Sequence, residues 1–470
     1  MKNRKRAVFT VMFCCCAGAS AAAETPLCKD LKAFPSEPGY SCSGGYAAGP
    51  GKSVVYAGPV PEPRGPVKAE AGPAQADEVF LDDLARSSFR FFMDSADPGT
   101  GLVLDRARAD GSPLDTGHRY AASSASTGFG LSALCVGAKR GWISGEEAAA
   151  RARTTLKFLA EKAPGEHGWF YHWMDSRTGE RIWNSEVSSI DTALLLAGVL
   201  TVRQCFAGDP AIEELSGRIY GRLDFQWMLN GDELLLSHGW TPEKGFLPYR
   251  WDTHSEMLLL YLLGIGAPSR GLPAASWRAW KRPVVNYGGF SFIGGAPPLF
   301  IHQYTQAWVD FRGKKDGDTD WFANSAAATG ANRRMCMDLS ARFPGYGPEM
   351  WGVTASDSAS GYKAWGGPPA TPDIDGTVVP CAAGGSLMFT PELSLAALKA
   401  MKRVCGGKAY GVYGFADSFN PSTCWVDPDV IGIDEGITLL SAENQRAGSV
   451  WKWFMANKEV PAALKAAGFK

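Results

Sequence analysis

Carboxylates that begin apolar helices are the residues of this chain best suited to chemistry. Asp191 lies in the first turn of one apolar stretch, and Glu256 directly precedes another, which starts at Met257. A carboxylate at a helix start is also stabilised by the helix dipole or by capping, so either side chain could have a purely structural role. Nothing in the stretch after Met257 would neutralise Glu256, and a partly desolvated carboxyl group has a raised pKa. The sequence therefore indicates Glu256 as a general acid that works near neutral pH.

Two C-terminal segments carry further acids. Asp417 lies in an aromatic loop, and Asp434 starts a predicted helix that continues to Glu443 and Arg446. Two carboxylates that flank a bond are the arrangement with which glycosidic bonds are hydrolysed. The spacing of the cysteines and histidines matches no metal site, and the sequence has no phosphate-binding loop. These patterns favour two-carboxylate chemistry without a metal or a cofactor.

Tryptophan gives a second chemical signal. The chain has 16 Trp, and several of them lie in or beside the acidic loops. An indole ring offers a flat apolar face to a sugar ring, while polar neighbours can bind the sugar hydroxyls. Packing in the core is the alternative for any single tryptophan. Together, the acids and the aromatic residues indicate a carbohydrate site.

The elements that would position these residues are helices. Strand alternation is scarce, and the predicted helices are joined by long loops with Gly, Pro and aromatic residues. Stretches such as 193–200 and 257–263 are apolar nearly all round, so neighbouring helices must cover them on more than one side. The predicted helices span 120–140, 145–162, 187–207, 210–229, 254–265, 303–312, 324–342, 391–404 and 434–456.

Buried helices alternate along the chain with amphipathic ones, about a dozen in all. This order predicts an all-α fold, the (α/α)6 barrel, a toroid of helical hairpins whose long loops form a cleft at one mouth. A stacked helical solenoid would give a similar pattern. The acids and aromatic residues in the loops favour the barrel over the solenoid.

The N-terminal region has a different composition from the rest of the chain. A basic start at residues 2–6, an apolar stretch at 8–16 and three alanines at 21–23 predict a secretory signal peptide over residues 1–23. The apolar stretch is too short to be a stable membrane span. Cysteines at 14–16 leave lipoprotein anchoring as an alternative. We therefore expect a periplasmic or secreted protein.

The remaining sequence divides into two parts. Residues 24–76 are rich in Pro, Gly, Ala and Ser, which predicts a leader or linker, and residues 77–470 form the predicted catalytic domain. Lys and Arg total 47 against 48 Asp and Glu, so the chain lacks the basic excess that nucleic acid binding requires. We expect a monomer whose partner is an oligosaccharide or polysaccharide, with neither nucleic acid nor membrane as a partner.

Cysteines outside the signal peptide form an even set, which in an oxidising compartment indicates some disulfides. The only pair that the sequence itself suggests is the local one of Cys28 with Cys42. Cys135 and Cys205 lie on apolar helix faces, where buried thiols are the alternative.

Segments distributed along the chain resemble the bacterial glycoamylase-like domain family. That family includes the endo-β-1,2-glucanases of glycoside hydrolase family 144 and is similar to a domain of cyclic β-1,2-glucan synthases. The resemblance covers about residues 78–468, in order, and excludes the leader. It implies an (α/α)6 barrel, a sugar cleft at one mouth and an anomer-inverting mechanism with two acids. The segments that carry it are 186–198, 256–268, 298–312, 351–366 and 414–446.

The resemblance also implies roles for individual residues. Glu256 occupies the position of the general acid, and Asp417 and Asp434 both match family acids near the cleft. We rank Asp417 slightly ahead as the base and leave the choice open. Ser188 stands where we expect an acid in some members, so the substrate is open too. The predicted substrate-binding residues are Glu186, Asp191, Trp251, His302, Gln303, Tyr304, Trp308, Lys363, Trp365, Glu443 and Arg446.

The sequence thus predicts a glycoside hydrolase that cleaves a β-glucan, with endo-β-1,2-glucanase activity as the best-supported form. One alternative is a glycan-binding protein that has lost catalysis. Another is a polysaccharide lyase in the same barrel, for which only the segment 302–304 offers a His and Tyr pair.

Overall fold

The computed structural model of the protein describes residues 73–470. The chain divides into two units, 1–78 and 79–470, and the second contains nearly all of the described residues. The predicted signal peptide and the Cys28 and Cys42 pair lie outside the described residues. Because the first described helix begins at Pro73, the predicted boundary between residues 76 and 77 falls within a helix. Among residues 73–470, no helix has both the length and the apolar character of a membrane span.

Helices are the main elements of the described chain, and most loops contain only short strands. The helices are α1 (Pro73–Asp94), α2 (Ser124–Arg140), α3 (Gly145–Glu161), α4 (Ser189–Cys205), α5 (Pro210–Gly221), α6 (Phe225–Met228), α7 (Leu258–Ile265), α8 (Ser276–Ala279), α9 (Tyr304–Trp308), α10 (Trp321–Asp338), α11 (Pro380–Gly384), α12 (Pro391–Arg403), α13 (Gly432–Ala447), α14 (Ser449–Met455) and α15 (Glu459–Ala466), with 3₁₀ turns at Leu299–His302 and Val404–Gly407.

The strands are two to four residues long and pair into small antiparallel sheets. They are β1 (Arg106–Arg108), β2 (Ala121–Ser123), β3 (Gly165–Glu166), β4 (Trp169–Phe170), β5 (Trp173–Asp175), β6 (Val187–Ser188), β7 (Gly239–Thr241), β8 (Gly245–Phe246), β9 (Val284–Tyr287), β10 (Phe290–Ile293), β11 (Lys315–Asp316), β12 (Thr319–Asp320), β13 (Tyr410–Gly411), β14 (Gly414–Phe415), β15 (Phe419–Asn420), β16 (Trp425–Val426) and β17 (Asp429–Ile431).

Six helices form the inner ring of the predicted (α/α)6 barrel: α2, α4, α7, α9, α11 and α13. Contacts run from α2 to α4, from α4 to α7, from α11 to α13 and from α13 back to α2. Between α7 and α9, the backbone N–H of Leu259 donates to the Thr305 hydroxyl at 3.1 Å. Between α9 and α11, the Gln303 amide donates to the Ala382 carbonyl at 2.9 Å. Outer helices α3, α5 and α12 pack against this ring, so the predicted fold class is confirmed.

Several predicted helices differ from the structure in length. The predicted helix 434–456 breaks at Gly448, whose φ of +61° ends α13 and starts α14. The predicted helix 210–229 is interrupted between α5 and α6, where the Asp224 side chain caps the second helix by accepting from the Trp227 N–H. The predicted helix 303–312 shortens to α9, five residues long. In each case a turn or a cap overrides a continuous apolar pattern.

Inner helices share a direction, which places their N-termini at one mouth. Asp191 is the third residue of α4, Asp434 is the third residue of α13, and Glu256 lies two residues before α7. At the other end, Arg140 at the end of α2 pairs with Glu443 near the end of α13 at 2.6 Å. The mouth with the N-termini therefore collects Asp191, Glu256 and Asp434, at the helix ends where the dipole favours negative charge.

Cysteines of the described chain are free thiols. Cys135 is buried on α2 and hydrogen bonded to Cys205 on α4, which is half-buried. The arrangement matches the alternative of thiols on packed helix faces.

Glycines bring α2 and α4 into direct backbone contact. A methyl group on Gly198 would lie 2.1 Å from the carbonyl oxygen of Gly128, and one on Gly128 would lie 2.3 Å from the carbonyl oxygen of Leu194. Real Cβ atoms do not approach backbone so closely, so substitution requires the helices to separate. The contact fixes the two helices at one height and one spacing.

We expect Gly198→Ala to destabilise the protein by about 1–3 kcal/mol, because the added methyl group overpacks this contact. Gly217→Ala is the matched control, since Gly217 lies in α5 with open space around its Cβ position. There, alanine is favoured over glycine by up to about 1 kcal/mol through helix propensity alone. Thermal unfolding followed by circular dichroism measures both changes. Equal midpoints for the two variants would contradict the packing argument.

Candidate active site

Four carboxylates form the centre of the site, and all are buried. Asp191, Glu256 and Asp434 belong to the starts of inner helices, while Asp417 lies in the short loop between β14 and β15. Each is less than a tenth exposed. Buried carboxylates must be neutralised or hydrogen bonded, so their partners determine what chemistry they can do.

Glu256 titrates close to neutral pH, well above the range of an exposed glutamate. Burial raises the pKa of Glu256 to about 7, and the nearby carboxylate of Asp191 adds to the rise. The Thr305 hydroxyl on α9 donates to the Glu256 carbonyl oxygen at 2.9 Å, which fixes the backbone at this position. A carboxyl group whose pKa lies near the working pH is suited to general acid catalysis.

Asp417 and Asp434 are a hydrogen-bonded pair. Burial raises the pKa of both side chains, that of Asp434 to about 6 and that of Asp417 well above its usual range, to which Asp434 itself contributes. The Asp357 N–H donates to Oδ2 of Asp417 at 2.7 Å, and the Cys381 thiol is hydrogen bonded to the Asp434 carboxylate. Two carboxyl groups in contact share one proton because both cannot be ionised together. Near neutral pH the pair therefore carries one proton and one negative charge.

Tyr304 connects this pair to Glu256. Its side chain is buried, and burial together with Asp434 and Glu256 raises the pKa of the hydroxyl. The ring stacks on Phe300 at 4.8 Å and meets the edge of Phe129 at 5.9 Å. A neutral hydroxyl held rigidly near both acidic positions is placed to bind a sugar or the attacking water.

His172 contacts two of the predicted site residues, although the sequence did not single it out. Its Nδ1 lies 3.0 Å from Glu186 and its Nε2 lies 3.6 Å from Asp191. Burial lowers the pKa of His172, but the carboxylates of Asp191, Glu186 and Asp105 outweigh burial and raise it to about 9. The imidazolium in turn holds the pKa of Glu186 below its usual range. The only sequence signal was its place in an aromatic run between β4 and β5.

Ser188, which stands where the family resemblance leads us to expect an acid, contacts Asp191. It is the N-cap of α4, and its hydroxyl donates to Oδ2 of Asp191 at 2.5 Å while accepting from the Asp191 N–H at 3.2 Å. Burial raises the pKa of Asp191, and His172 and Ser188 oppose that rise. The serine thus orients the carboxylate that influences Glu256.

Arginines support the loop that carries Asp417. Arg106 lies 2.9 Å from Asp357 and 3.4 Å from Asp429, and Arg108 lies 2.8 Å from Asp429. This network depends on the pairing of β1 with β17, in which Arg108 is opposite Asp429. No local pattern in the sequence indicates this network, because the paired strands are more than 300 residues apart.

Two groups of side chains have the spacing of metal ligands. They are His172, Glu186 and Asp191, and separately Asp357, Asp417 and Asp427, with the potential ligand atoms of each group within 4.8 Å of one another. In the first group, the protonated imidazole already pairs with both acids. In the second, Arg106 and a backbone N–H bind two of the acids, and burial together with Asp417 raises the pKa of Asp427 to about 8.

Other predicted site residues pack inside the protein. Trp251 stacks on His238 at 3.9 Å, and His302 lies 5.1 Å from His254 between aromatic rings. Four of the buried predicted residues donate hydrogen bonds within the protein: Trp251 to Ser189, Gln303 to Ala382 and Ser386, Trp308 to Ser132 and Trp365 to Ser356. Trp308 is 0% exposed, so it offers no face to a sugar here.

Glu443 and Arg446 lie at the opposite end of α13 from Asp434, about 14 Å and 18 Å along the helix at 1.5 Å per residue. A cavity of about 490 Å³ opens there beside Arg446 and Trp451. Its lining includes one carboxylate, that of Asp310, and several basic side chains, so it lacks the paired acids of the mouth. Lys363, by contrast, is half-buried opposite Ser356, next to Asp357 and hence close to the acid pair.

An (α/α)6 barrel with a buried glutamic acid and a hydrogen-bonded aspartate pair at one mouth has the two-carboxylate arrangement of glycoside hydrolases. The chain belongs to the glycoamylase-like family, as its resemblance predicted. The sequence profile of that family, described as "Putative glucoamylase", matches residues 248–458.

Similar proteins support this assignment. An endo-β-1,2-glucanase from Chitinophaga pinensis, solved with sophorotriose and glucose, is 30% identical with a TM-score of 0.78, over 84% of this chain and 98% of that one. An exo β-1,2-glucooligosaccharide sophorohydrolase from Parabacteroides distasonis is 27% identical over 83% of this chain, which spans 58% of that relative's length. An endo-β-1,2-glucanase from Talaromyces funiculosus, 16% identical with a TM-score of 0.63 over 83% and 89% of the two chains, shares the fold.

We expect the His172 ring to remain protonated on both nitrogens at pH 7.5, because its pKa is raised to about 9. His238 should be neutral at the same pH, since burial lowers its pKa to about 4. Two-dimensional ¹H–¹⁵N spectra of the histidine rings, with His172→Gln for assignment, distinguish the two states. A neutral His172 at pH 7.5 would show that the two carboxylates do not hold it as a cation.

Proposed function

We propose that this protein hydrolyses β-1,2-glucan. The observation that carries the proposal is the placement of buried Glu256, whose pKa burial raises to about 7, at the same mouth as the hydrogen-bonded pair of Asp417 and Asp434. This is the combination of a proton donor and a proton acceptor that glycoside hydrolysis requires. The β-1,2 linkage is supported by the relatives described above, which act on β-1,2-linked glucans.

Glu256 is the proposed general acid. It donates its proton to the glycosidic oxygen as the bond breaks, which lets the sugar leave as a neutral alcohol. Burial, to which the Asp191 carboxylate adds, raises the pKa of Glu256 and so favours its protonated form before the reaction. After the step, the carboxylate of Glu256 recovers a proton from solvent.

Asp434 is the proposed base. Above its pKa of about 6 it is ionised, whereas the pKa of Asp417 is raised further, so the shared proton stays on Asp417. This reverses the ranking from the sequence, in which Asp417 was slightly ahead. Asp434 removes a proton from a water molecule on the face of the sugar opposite Glu256, directly or through a substrate hydroxyl. Such a reaction inverts the anomeric configuration.

Export from the cytoplasm is part of the proposal. It rests on residues 1–23, whose basic start, apolar stretch and alanines match a signal peptide. A periplasmic or secreted monomer would meet glucan outside the cytoplasm.

We expect Glu256→Gln to lower kcat on linear β-1,2-glucan by about 10²- to 10⁴-fold, because an amide cannot donate the proton. Glu214→Gln is the matched control, since Glu214 is exposed on the outer helix α5. Product analysis by chromatography measures the loss, and ¹H NMR of the first product of the wild-type protein shows whether it has the α configuration. An unchanged rate for Glu256→Gln would remove Glu256 from the mechanism, and a first product in the β configuration would exclude inversion.

We expect kcat to be highest between about pH 6 and pH 7, since Asp434 must be ionised and Glu256 protonated. The rate falls below pH 6 as Asp434 gains a proton, and falls above pH 7 as Glu256 loses one. A pH–rate profile at saturating glucan measures both limbs. A rate still rising at pH 9 would be incompatible with Glu256 as the acid.

A further inference from the structure

Trp183 lies at the mouth in a backbone conformation that tryptophan rarely adopts. Its φ is +53° and that of Asn184 is +51°, and the Ser185 N–H donates to the Ile182 carbonyl at 3.0 Å. Left-handed values at both central positions are typical of a type I′ turn, in which Gly, Asn and Asp dominate. Asn184 fits this preference and Trp183 does not. Residues with a strained backbone of this kind cluster at functional sites of proteins.

Arg181 holds the turn in this shape. Its guanidinium donates to the Asn184 carbonyl at 2.6 Å and to the Ser185 carbonyl at 2.5 Å. The same group forms two bonds with the Glu243 carboxylate, at 2.6 Å and 3.0 Å. Arg181 therefore fixes the turn through these two carbonyl bonds, and its bidentate pair with Glu243 holds Arg181 in place. Burial of the indole is not what holds the turn. The Trp183 side chain stays 41% exposed.

Aromatic contacts connect Trp183 to the acids. Its ring lies 5.5 Å from that of Trp173 at an angle of 63° and 5.4 Å from that of His118 at 68°. Trp173 stacks on His172 at 3.4 Å with 13° between the planes. The Trp173 indole N–H donates to Asp105 at 3.4 Å. His172 in turn pairs with Asp191, which raises the pKa of Glu256. A continuous row of rings thus runs from the catalytic acids to an exposed indole at the rim.

We propose that Trp183 binds a glucosyl residue of the substrate chain at a distance from the bond that is cut. The exposed indole face would stack on the apolar face of that sugar, and Arg181 would keep the face oriented as a positioning residue. This deepens the proposed function and rests on it. A chain long enough to span from the acids to Trp183 would make this contact and a shorter one would not, so the contact favours long β-1,2-glucan chains.

Trp183→Ala should lower kcat/KM on polymeric β-1,2-glucan by about three- to tenfold. The same variant should cleave the shortest β-1,2-glucooligosaccharide that the wild-type protein accepts at the wild-type rate. Trp183→Phe keeps an aromatic face and should retain most of the activity on the polymer. Arg181→Gln should share the selective loss on the polymer, since it releases the turn that presents the indole. Leu393→Ala, on the outer helix α12, is the surface control.

Each outcome decides the matter. The proposed role of Trp183 would be overturned if Trp183→Ala matched the wild-type protein on both substrates. It would also be overturned if the variant lost activity on both substrates equally. A wild-type protein that cleaves no β-1,2-glucan of any length would overturn the proposed function instead. In that case, native gel electrophoresis in polymeric β-1,2-glucan tests glucan binding by Trp183 without relying on hydrolysis. Retardation of the wild-type band that Trp183→Ala abolishes would support it, and equal mobility of the two proteins would refute it.

Discussion

Carboxylates buried together cannot all keep their charge, and the mouth of this barrel is organised around that constraint. Glu256 responds by keeping its proton, and Asp417 and Asp434 respond by sharing one. Other acids are paired with cations: Asp191 with His172, and Asp357 with Arg106. The result is a site in which neutral and ionised carboxyl groups lie side by side. Acid and base catalysis in one cleft requires this difference between groups of the same chemical type.

The sequence was sufficient for the fold and for the acids at helix starts. Asp191, Glu256 and Asp434 could be found because a charged residue at the edge of an apolar helix conflicts with its surroundings, and that conflict is visible locally. His172, Asp105 and Arg106 could not be found in this way. Their roles depend on strand pairs and loop contacts between distant parts of the chain, such as β1 with β17.

Tryptophan shows the limit of reasoning from residue type. The sequence shows where the tryptophans lie along the chain, but it does not tell which rings face inward. Trp308 and Trp365 donate their indole N–H groups to serines inside the protein. Trp173 and Trp183 remain at the mouth because strand β5 and a tight turn hold them there. The direction of a side chain depends on backbone angles, which composition does not encode.

The backbone contact between Gly128 and Gly198 has a mechanical consequence. Because the carbonyl of one helix meets the Cα region of the other, with no side chain between them, these helices cannot slide or separate without breaking the contact. The positions of residues at the N-termini of these two helices, such as Asp191, then depend little on changes in the outer helices. A substitution in an outer helix such as α3 or α5 is therefore expected to leave the distance between α2 and α4 unchanged.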